Sequence, residues 1–251
     1  MSMNNKQDVF SLISEVFAEY CQSFDNDLNH LKVWPWTEDK TVIHEANQVH
    51  RFLNVYQKTG KDIVCWMELP VYYHKHQGKR QLAHIDAFIV DNDRKLIFFI
   101  EAKRFSQPAQ VLSLQTDVKR LFGIAREIYT EDKGFKGLNL YEYDSFMIPL
   151  ADIWDYRGKW CQSYASKWSS IVHKTEDLYR YHITAFIKPL DIPDNQEKGM
   201  YHLLGALMPV FDAKRYKVEL EGSNKKMAAE ASIHVYPDNI PFEFVLALDK
   251  K

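Results

Sequence analysis

His84-Ile85-Asp86-Ala87-Phe88-Ile89-Val90, then Asp91-Asn92-Asp93-Arg94, then Lys95-Leu96-Ile97-Phe98-Phe99-Ile100-Glu101-Ala102-Lys103-Arg104: this stretch decides the fold of the chain. Two apolar runs joined by a polar, turn-forming tetrapeptide read as a β-hairpin with strands over residues 82–90 and 95–103. Alternation along the second strand sends Glu101 and Lys103 to the same face. An apolar strand normally keeps charge off its buried face, because burying an unpaired charge is costly. The hairpin brings Asp86 beside Glu101 and Lys103, which makes a divalent-metal site with a cation next to it. Such a site suits hydrolysis of a phosphodiester.

Upstream of the hairpin, Val9, Phe10, Leu12, Ile13, Val16 and Phe17 form a helical stripe over residues 9–20. Trp34-Pro35-Trp36 marks an irregular connection over 31–40. A helix is predicted over 41–58, with Thr41 as N-cap and Gly60 just past its end. Residues 62–69 read as a strand that Pro70 interrupts, and the polar residues 74–80 as a loop. Downstream, Ser106-Gln107-Pro108 introduces a helix over 109–129, and a polar loop over 131–137 follows. The nearly continuous apolar run 145–153 predicts a central strand buried on both faces. The remaining expectations are helices over 160–174, 200–211 and 223–231, and strands over 181–187, 216–220 and 242–248. Residues 191–199 are the candidate mobile loop. The order predicts an α/β fold, a mixed β-sheet flanked by helices, built as one domain over 1–251 with a C-terminal α/β elaboration from about 154.

Hydrophobic content of 46% and charged content of 26% are ordinary for a globular enzyme and allow a sizeable core. A net charge of −2 gives no global attraction to nucleic acid, so such a partner needs a local basic patch. From Arg94 to Lys136 the chain carries nine Lys and Arg against five Asp and Glu, which supplies one. Arg104 and Lys119 in this segment are candidate substrate contacts. The three cysteines are scattered with no CxxC spacing, so neither a disulfide framework nor a zinc cluster is expected. With no signal-peptide pattern and no run of ~18 apolar residues, the expectation is a soluble cytoplasmic protein without a membrane partner. The aromatic and basic segment Trp154-Asp155-Tyr156-Arg157-Gly158-Lys159-Trp160 can stack bases or simply pack in a connecting loop.

Mg²⁺ takes hard oxygen ligands, typically one or two carboxylates with retained waters. Asp86 and Glu101 supply the carboxylates, and the backbone carbonyl of Ala102 lies between Glu101 and Lys103 as a third oxygen. Asp86 followed at a short interval by Glu101-Ala102-Lys103 after an apolar strand resembles the PD-(D/E)XK nuclease superfamily. The resemblance covers residues 41–153, and His44-Glu45-Ala46-Asn47 opening the preceding helix adds to it. It departs from the family pattern at Ile85, where a proline is usual. The resemblance implies a restriction-endonuclease-like αβββαβ core and a metal-dependent nuclease using Mg²⁺ or Mn²⁺, with DNA as the expected substrate. By the same resemblance Asp86, Glu101 and the Ala102 carbonyl bind the metal, Glu45 assists it, and Lys103 positions the attacking water. The following helix carries a Gln facing the active site in several branches, here Gln115, with Gln110 the second choice.

Each residue also has a plainer reading. Glu101 and Lys103 can form a solvated ion pair, Asp86 a local hydrogen bond, and Glu45 a favourable charge at a helix N-terminus. His84, on the face of Asp86, can be a satisfied histidine. The alternative function is a catalytically silent nuclease-like fold that binds nucleic acid or protein. An unrelated α/β protein with a coincidental ExK is the third.

Overall fold

The apolar run after the turn forms β3 (Leu96–Phe105), and the run 144–153 forms β4 (Asp144–Ile153). They pair in parallel from Leu96↔Asp144 to Phe105↔Ile153. Both strands are almost continuously buried, as parallel strands covered on both faces require. The computed structural model describes residues 3–31, 45–75, 79–105, 109–130, 137–153, 186–192, 201–205 and 207–234. The expectations for 31–40, 131–136, 160–174, 193–199 and 242–248, the Thr41 cap, and the Trp154 to Trp160 segment fall wholly or mostly outside these residues.

Around this pair the described residues form an α/β architecture with a mixed, mostly antiparallel open sheet. The preceding elements are α1 (Met3–Leu31), α2 (Glu45–Gln57), β1 (Ile63–Lys75) and β2 (Lys79–Asp91). The following ones are α3 (Ala109–Thr130), β5 (Phe186–Pro189), β6 (Tyr201–Leu204), β7 (Met208–Phe211), α4 (Ala213–Gly222) and α5 (Lys225–Ser232). The sheet order is β1-β2-β3-β4-β6-β5, and β7 pairs with β4 beside β6. All pairings except β3–β4 are antiparallel.

Two apolar layers cover the sheet. On one face Ile97, Phe99, Met147 and Ala151 pack with Leu114, Val118, Leu121 and Ala125 of α3. On the other, Phe98, Ile100, Ala102 and Ile148 pack with α1 and α2. The stripe of α1 continues beyond residue 20 through Phe24 and Leu28, so the helix is longer than expected. Among the described residues, no helix is long and apolar enough to cross a membrane.

The end of α2 is locked to the β2–β3 turn. The Tyr56 hydroxyl donates to Asp91 Oδ2 (2.9 Å), and Arg94 Nη1 donates to the same oxygen (2.7 Å). Asp93 Oδ2 accepts from the N–H groups of Lys61 (2.7 Å) and Asp62 (3.0 Å). A Cβ on Gly60 would stand 2.6 Å from that oxygen, so a larger residue there would have to displace the Asp93 carboxylate from its two N–H donors.

Four expectations are corrected. Pro70 lies inside β1, paired opposite His84, because β1 is an edge strand and can spare one donor. Of the expected loop over 74–80, residues 74, 75, 79 and 80 are strand, with His74↔Arg80 and Lys75↔Lys79 in register, and 76–78 lie outside the described residues. The apolar run 200–211 forms β6 and β7 rather than a helix. A short apolar run does not distinguish the two states, and the open edge of β4 offers hydrogen bonds that a strand can satisfy. Residues 216–220 lie in α4, nucleated by Asp212, whose Oδ1 accepts from Arg215 N (2.9 Å).

A buried polar network ties α1 to the sheet. His202 on β6 contacts Asp152 Oδ1 through Nδ1 and Asp25 Oδ1 through Nε2, both at 2.7 Å. All three side chains are buried. Burial disfavours the charged ring, but the two carboxylates outweigh it and raise the His202 pKa to about 9. Both nitrogens therefore donate, from an imidazolium.

Candidate active site

The β2–β3 ladder stops at Ala87↔Ile100. Beyond that point β2 leaves β3, and the β3 edge exposes the N–H groups of Ala102 and Arg104. Carboxylates take both positions: Asp86 Oδ2 accepts from Ala102 N (2.8 Å) and Glu45 Oε1 from Arg104 N (3.0 Å). Glu45 is the first residue of α2, so the Tyr56–Asp91 lock at the far end of that helix fixes its reach. In an extended strand a residue's N–H and C=O point to the same edge. The Ala102 carbonyl therefore opens on the edge that Asp86 caps.

Asp86 sits where the β1–β2 hairpin changes face. Met67↔Ala87 and Leu69↔Ile85 pair, but the intervening Glu68 and Asp86 do not. Glu68 has φ 52°, in the left-handed region. On the turn-proximal side of this break, Ile63, Ala87 and Ile89 belong to the α1–α2 layer. On the distal side, Leu69, Ala83 and Ile85 belong to the α3 layer, although regular alternation would keep Leu69 with Ile63 and Ile85 with Ala87. The outer hairpin is thus rotated onto the α3 side of the sheet.

The rotation encloses a cavity of about 350 Å³, lined by Asp86, Glu101 and Lys103, with Glu45 from α2, Asp117 and Arg120 from α3, and Tyr73 and His84 among the outer-hairpin residues. Lys103 Nζ lies 2.9 Å from Asp117 Oδ2. Arg120 Nη2 lies 3.1 Å from Glu101 Oε1 and 3.5 Å from Asp117 Oδ1. Glu101 is only 2% exposed, and its Oε2 is buried with no hydrogen-bond partner among the described residues.

The electrostatics follow from this crowding. Burial raises the Glu101 pKa to about 8; the Asp86 and Asp117 charges add to the rise, and Arg120 and Lys103 oppose it. Burial also raises Asp86, to about 6, against the Ala102 N–H and with help from the charge of Glu68. Burial lowers the Lys103 ammonium, but its hydrogen bond to Asp117 and the charges of Asp117, Glu45 and Glu101 leave its pKa above the usual value. Lys103 is therefore a cation at neutral pH and not a general base.

The sequence-derived residues Asp86, Glu101, Lys103 and Glu45 come together around one cavity, with the Ala102 backbone at its edge. Arg104 meets the cluster through its N–H, while its side chain does not line the cavity; Lys119 is exposed on α3 and also lies outside it. Gln115 and Gln110 lie on α3, and their side chains fall outside the description. Asp117 and Arg120 were missed. Their signal was present: two opposite charges three residues apart on the flank of the Leu114–Val118–Leu121 stripe.

Two carboxylates, one of them with a buried oxygen that has no partner among the described residues, fit a hard divalent cation that keeps most of its waters. Among the described residues, no group of three or more His, Cys, Asp or Glu side chains is placed to hold a metal ion. The chain matches no family model, and neither curated proteins nor solved structures give a significant match.

Proposed function

We propose that this chain is a divalent-metal-dependent nuclease of the PD-(D/E)XK type, acting on DNA. The buried Glu101 Oε2, without a partner among the described residues and beside Asp86 at a cavity that Lys103 also lines, carries the reading. The order α2-β1-β2-β3-α3-β4 supports a restriction-endonuclease-like core. Asp86, Glu101 and the Ala102 carbonyl would hold Mg²⁺ or Mn²⁺. When bound, the ion supplies a Lewis acid and lowers the pKa of water to make a nucleophile available near neutral pH. With the ion bound, Asp86 and Glu101 would both be ionised, on one side of the cavity. Lys103, fixed by Asp117, presents positive charge to the phosphate as charge builds on its oxygens. Glu45 holds the strand edge and adds a carboxylate to the wall. Water adds to phosphorus, one ester P–O bond breaks, and the products are a phosphomonoester and an alcohol.

The second reading, a silent binding module, is favoured by one observation. Glu101, Arg120, Asp117 and Lys103 form a charge-balanced chain of contacts that would hold α3 to β3 without any chemistry. Cleavage of linear, circular and single-stranded DNA with Mg²⁺ or Mn²⁺ separates the two. Lys103→Ala should lower the rate on the order of 10²–10³ with the fold intact. Asp86→Asn retains an acceptor for Ala102 N and should abolish metal-dependent turnover. Absence of cleavage by the parent, with Mn²⁺ binding demonstrated, would establish the module instead.

A further inference from the structure

We propose that Arg120 is a phosphate-binding residue held in reserve by Glu101. The ion pair between them is an autoinhibitory contact, and the guanidinium turns to the DNA backbone once Glu101 has another counter-ion. The identity of the polyanion rests on the nuclease reading; the switch itself rests on the geometry of a few side chains. Arg120 stands on α3 and lines the cavity together with Asp86, Glu101, Lys103 and Asp117. Four carboxyl groups line it against two Lys and Arg side chains, and both cations are already engaged by acids.

The Arg120–Glu101 pair is loose on its cationic side. A guanidinium usually meets a carboxylate with two parallel N–H bonds. Here Nη2 alone serves two acids, Glu101 Oε1 at 3.1 Å and Asp117 Oδ1 at 3.5 Å, while Nε is buried with no partner among the described residues. The Arg120 side chain is 33% exposed and that of Glu101 only 3%. The carboxylate is therefore the enclosed, fixed member, and the guanidinium is the one with room to reorient toward the cavity. A pair that served only to fasten α3 to β3 would gain by closing the fork, which would satisfy Nε as well.

Asp117 supplies the pivot. Its Oδ2 holds Lys103 Nζ at 2.9 Å, and its Oδ1 faces Arg120 one turn further along α3. Release from Glu101 leaves Arg120 tethered to the same carboxylate as Lys103, so two cations stand on one acid at the cavity wall. Positive charge then exceeds negative within that trio, and the guanidinium fork matches the oxygens of a phosphate. Any cation that takes Glu101 at Oε2 also repels the guanidinium on Oε1 of the same carboxylate. Occupancy of Glu101 and phosphate binding by Arg120 are therefore coupled, and such coupling is reciprocal.

The test is a double-mutant cycle on the full chain, read by the anisotropy of a fluorescent DNA duplex across a salt series. The buffer is held at about pH 9, where Glu101 is ionised. In EDTA, Arg120→Gln in the parent should change affinity by no more than about twofold, because Glu101 already withholds the guanidinium. Glu101→Gln should bind more tightly than the parent, and adding Arg120→Gln to it should cost about tenfold. That loss should reduce the slope of log K against log salt by about 0.9, one phosphate contact. In Ca²⁺, a hard cation that takes the same oxygen ligands, Arg120→Gln alone should show the loss. Lys217→Ala, exposed on α4, should stay within about twofold of the parent in both buffers. If Arg120→Gln alone does not fold, the Glu101→Gln protein with and without it decides. A gain over the parent that Arg120→Gln abolishes upholds the switch; no gain, or a gain that survives, overturns it. Equal Arg120→Gln losses with and without the Glu101 carboxylate also overturn it, as does the absence of a loss with Ca²⁺ shown bound by calorimetry. The EDTA cycle needs neither metal nor cleavage. The expected cycle in a protein that never cleaves DNA upholds the switch and sinks the nuclease; a parent that cleaves while the cycle is flat does the reverse.

Discussion

Glu101→Gln should make the metal-free protein more stable while removing metal binding. The Glu101 pKa rises from an ordinary 4.5 to about 8 on folding, mainly through burial. A carboxyl with a raised folded pKa is fully tolerated below about pH 4.5, and its unfavourable effect grows as pH climbs from there to 8. At pH 7 the gap from 4.5, at about 1.4 kcal/mol per pH unit, corresponds to about 3 kcal/mol of lost stability. Gln carries no charge to desolvate, but it weakens the contact with Arg120, which offsets about 1 kcal/mol. The expected net gain is about 2 kcal/mol at pH 7, shrinking towards zero or below at pH 5. Urea unfolding in EDTA from pH 5 to 9 measures it, with the parent losing stability across that range and the variant losing less. Excess Mg²⁺ should then stabilise the parent, by about 2.7 kcal/mol at a hundredfold excess over Kd, and leave the variant unmoved. A variant less stable than the parent at pH 7, or parallel pH curves, would refute the assignment of Glu101 as a buried, under-compensated carboxyl.

Two further perturbations probe the scaffold. His202→Gln should destabilise the fold by about 3 kcal/mol or more, because it leaves a buried carboxylate unpaired. The His202 contribution is fully present below pH 6.5 and lost as pH rises through about 9; thermal melts at pH 6 and 9.5 should show the variant and parent converging at the alkaline end, and a constant gap would count against the imidazolium. Glu68→Gly should stabilise by about 0.5–1 kcal/mol, since relief of the left-handed φ exceeds the entropy glycine adds to the unfolded chain. A lower urea midpoint for Glu68→Gly would show that this backbone position is not the strained one.

The hairpin, the buried central strand over 145–153 and the shared face of Glu101 and Lys103 were legible because each depends on local alternation and continuous burial. The C-terminal strands were not. Met200 to Phe211 has the composition of a buried helix, and only the vacant edge of β4 makes Tyr201 to Leu204 and Met208 to Phe211 strands. With that stretch read as a helix, His202 could not be placed opposite Asp152, and the Asp25–His202–Asp152 network stayed hidden. The site was legible in its strand residues and less so in its helix residues. Asp117 and Arg120 look like an exposed i,i+3 pair until α3 is docked over β3. Nothing in the identity of Glu68 marks a left-handed residue, because glutamate has no preference for that conformation; the rotation of the outer hairpin is set by tertiary contacts.

Strand β3 also bears on self-association. Where β2 departs, a parallel-buried strand is left with N–H groups at its margin, and a strand end of this kind recruits further strands from other molecules. Asp86 and Glu45 place carboxylate oxygens on those donors, and a second chain approaching there meets negative charge and finds its hydrogen-bonding positions filled. The same two acids that border the cavity thereby act as gatekeepers against intermolecular sheet growth. Neutral, non-accepting residues at both positions would uncover the edge, and concentration-dependent self-association would be the cost of losing them.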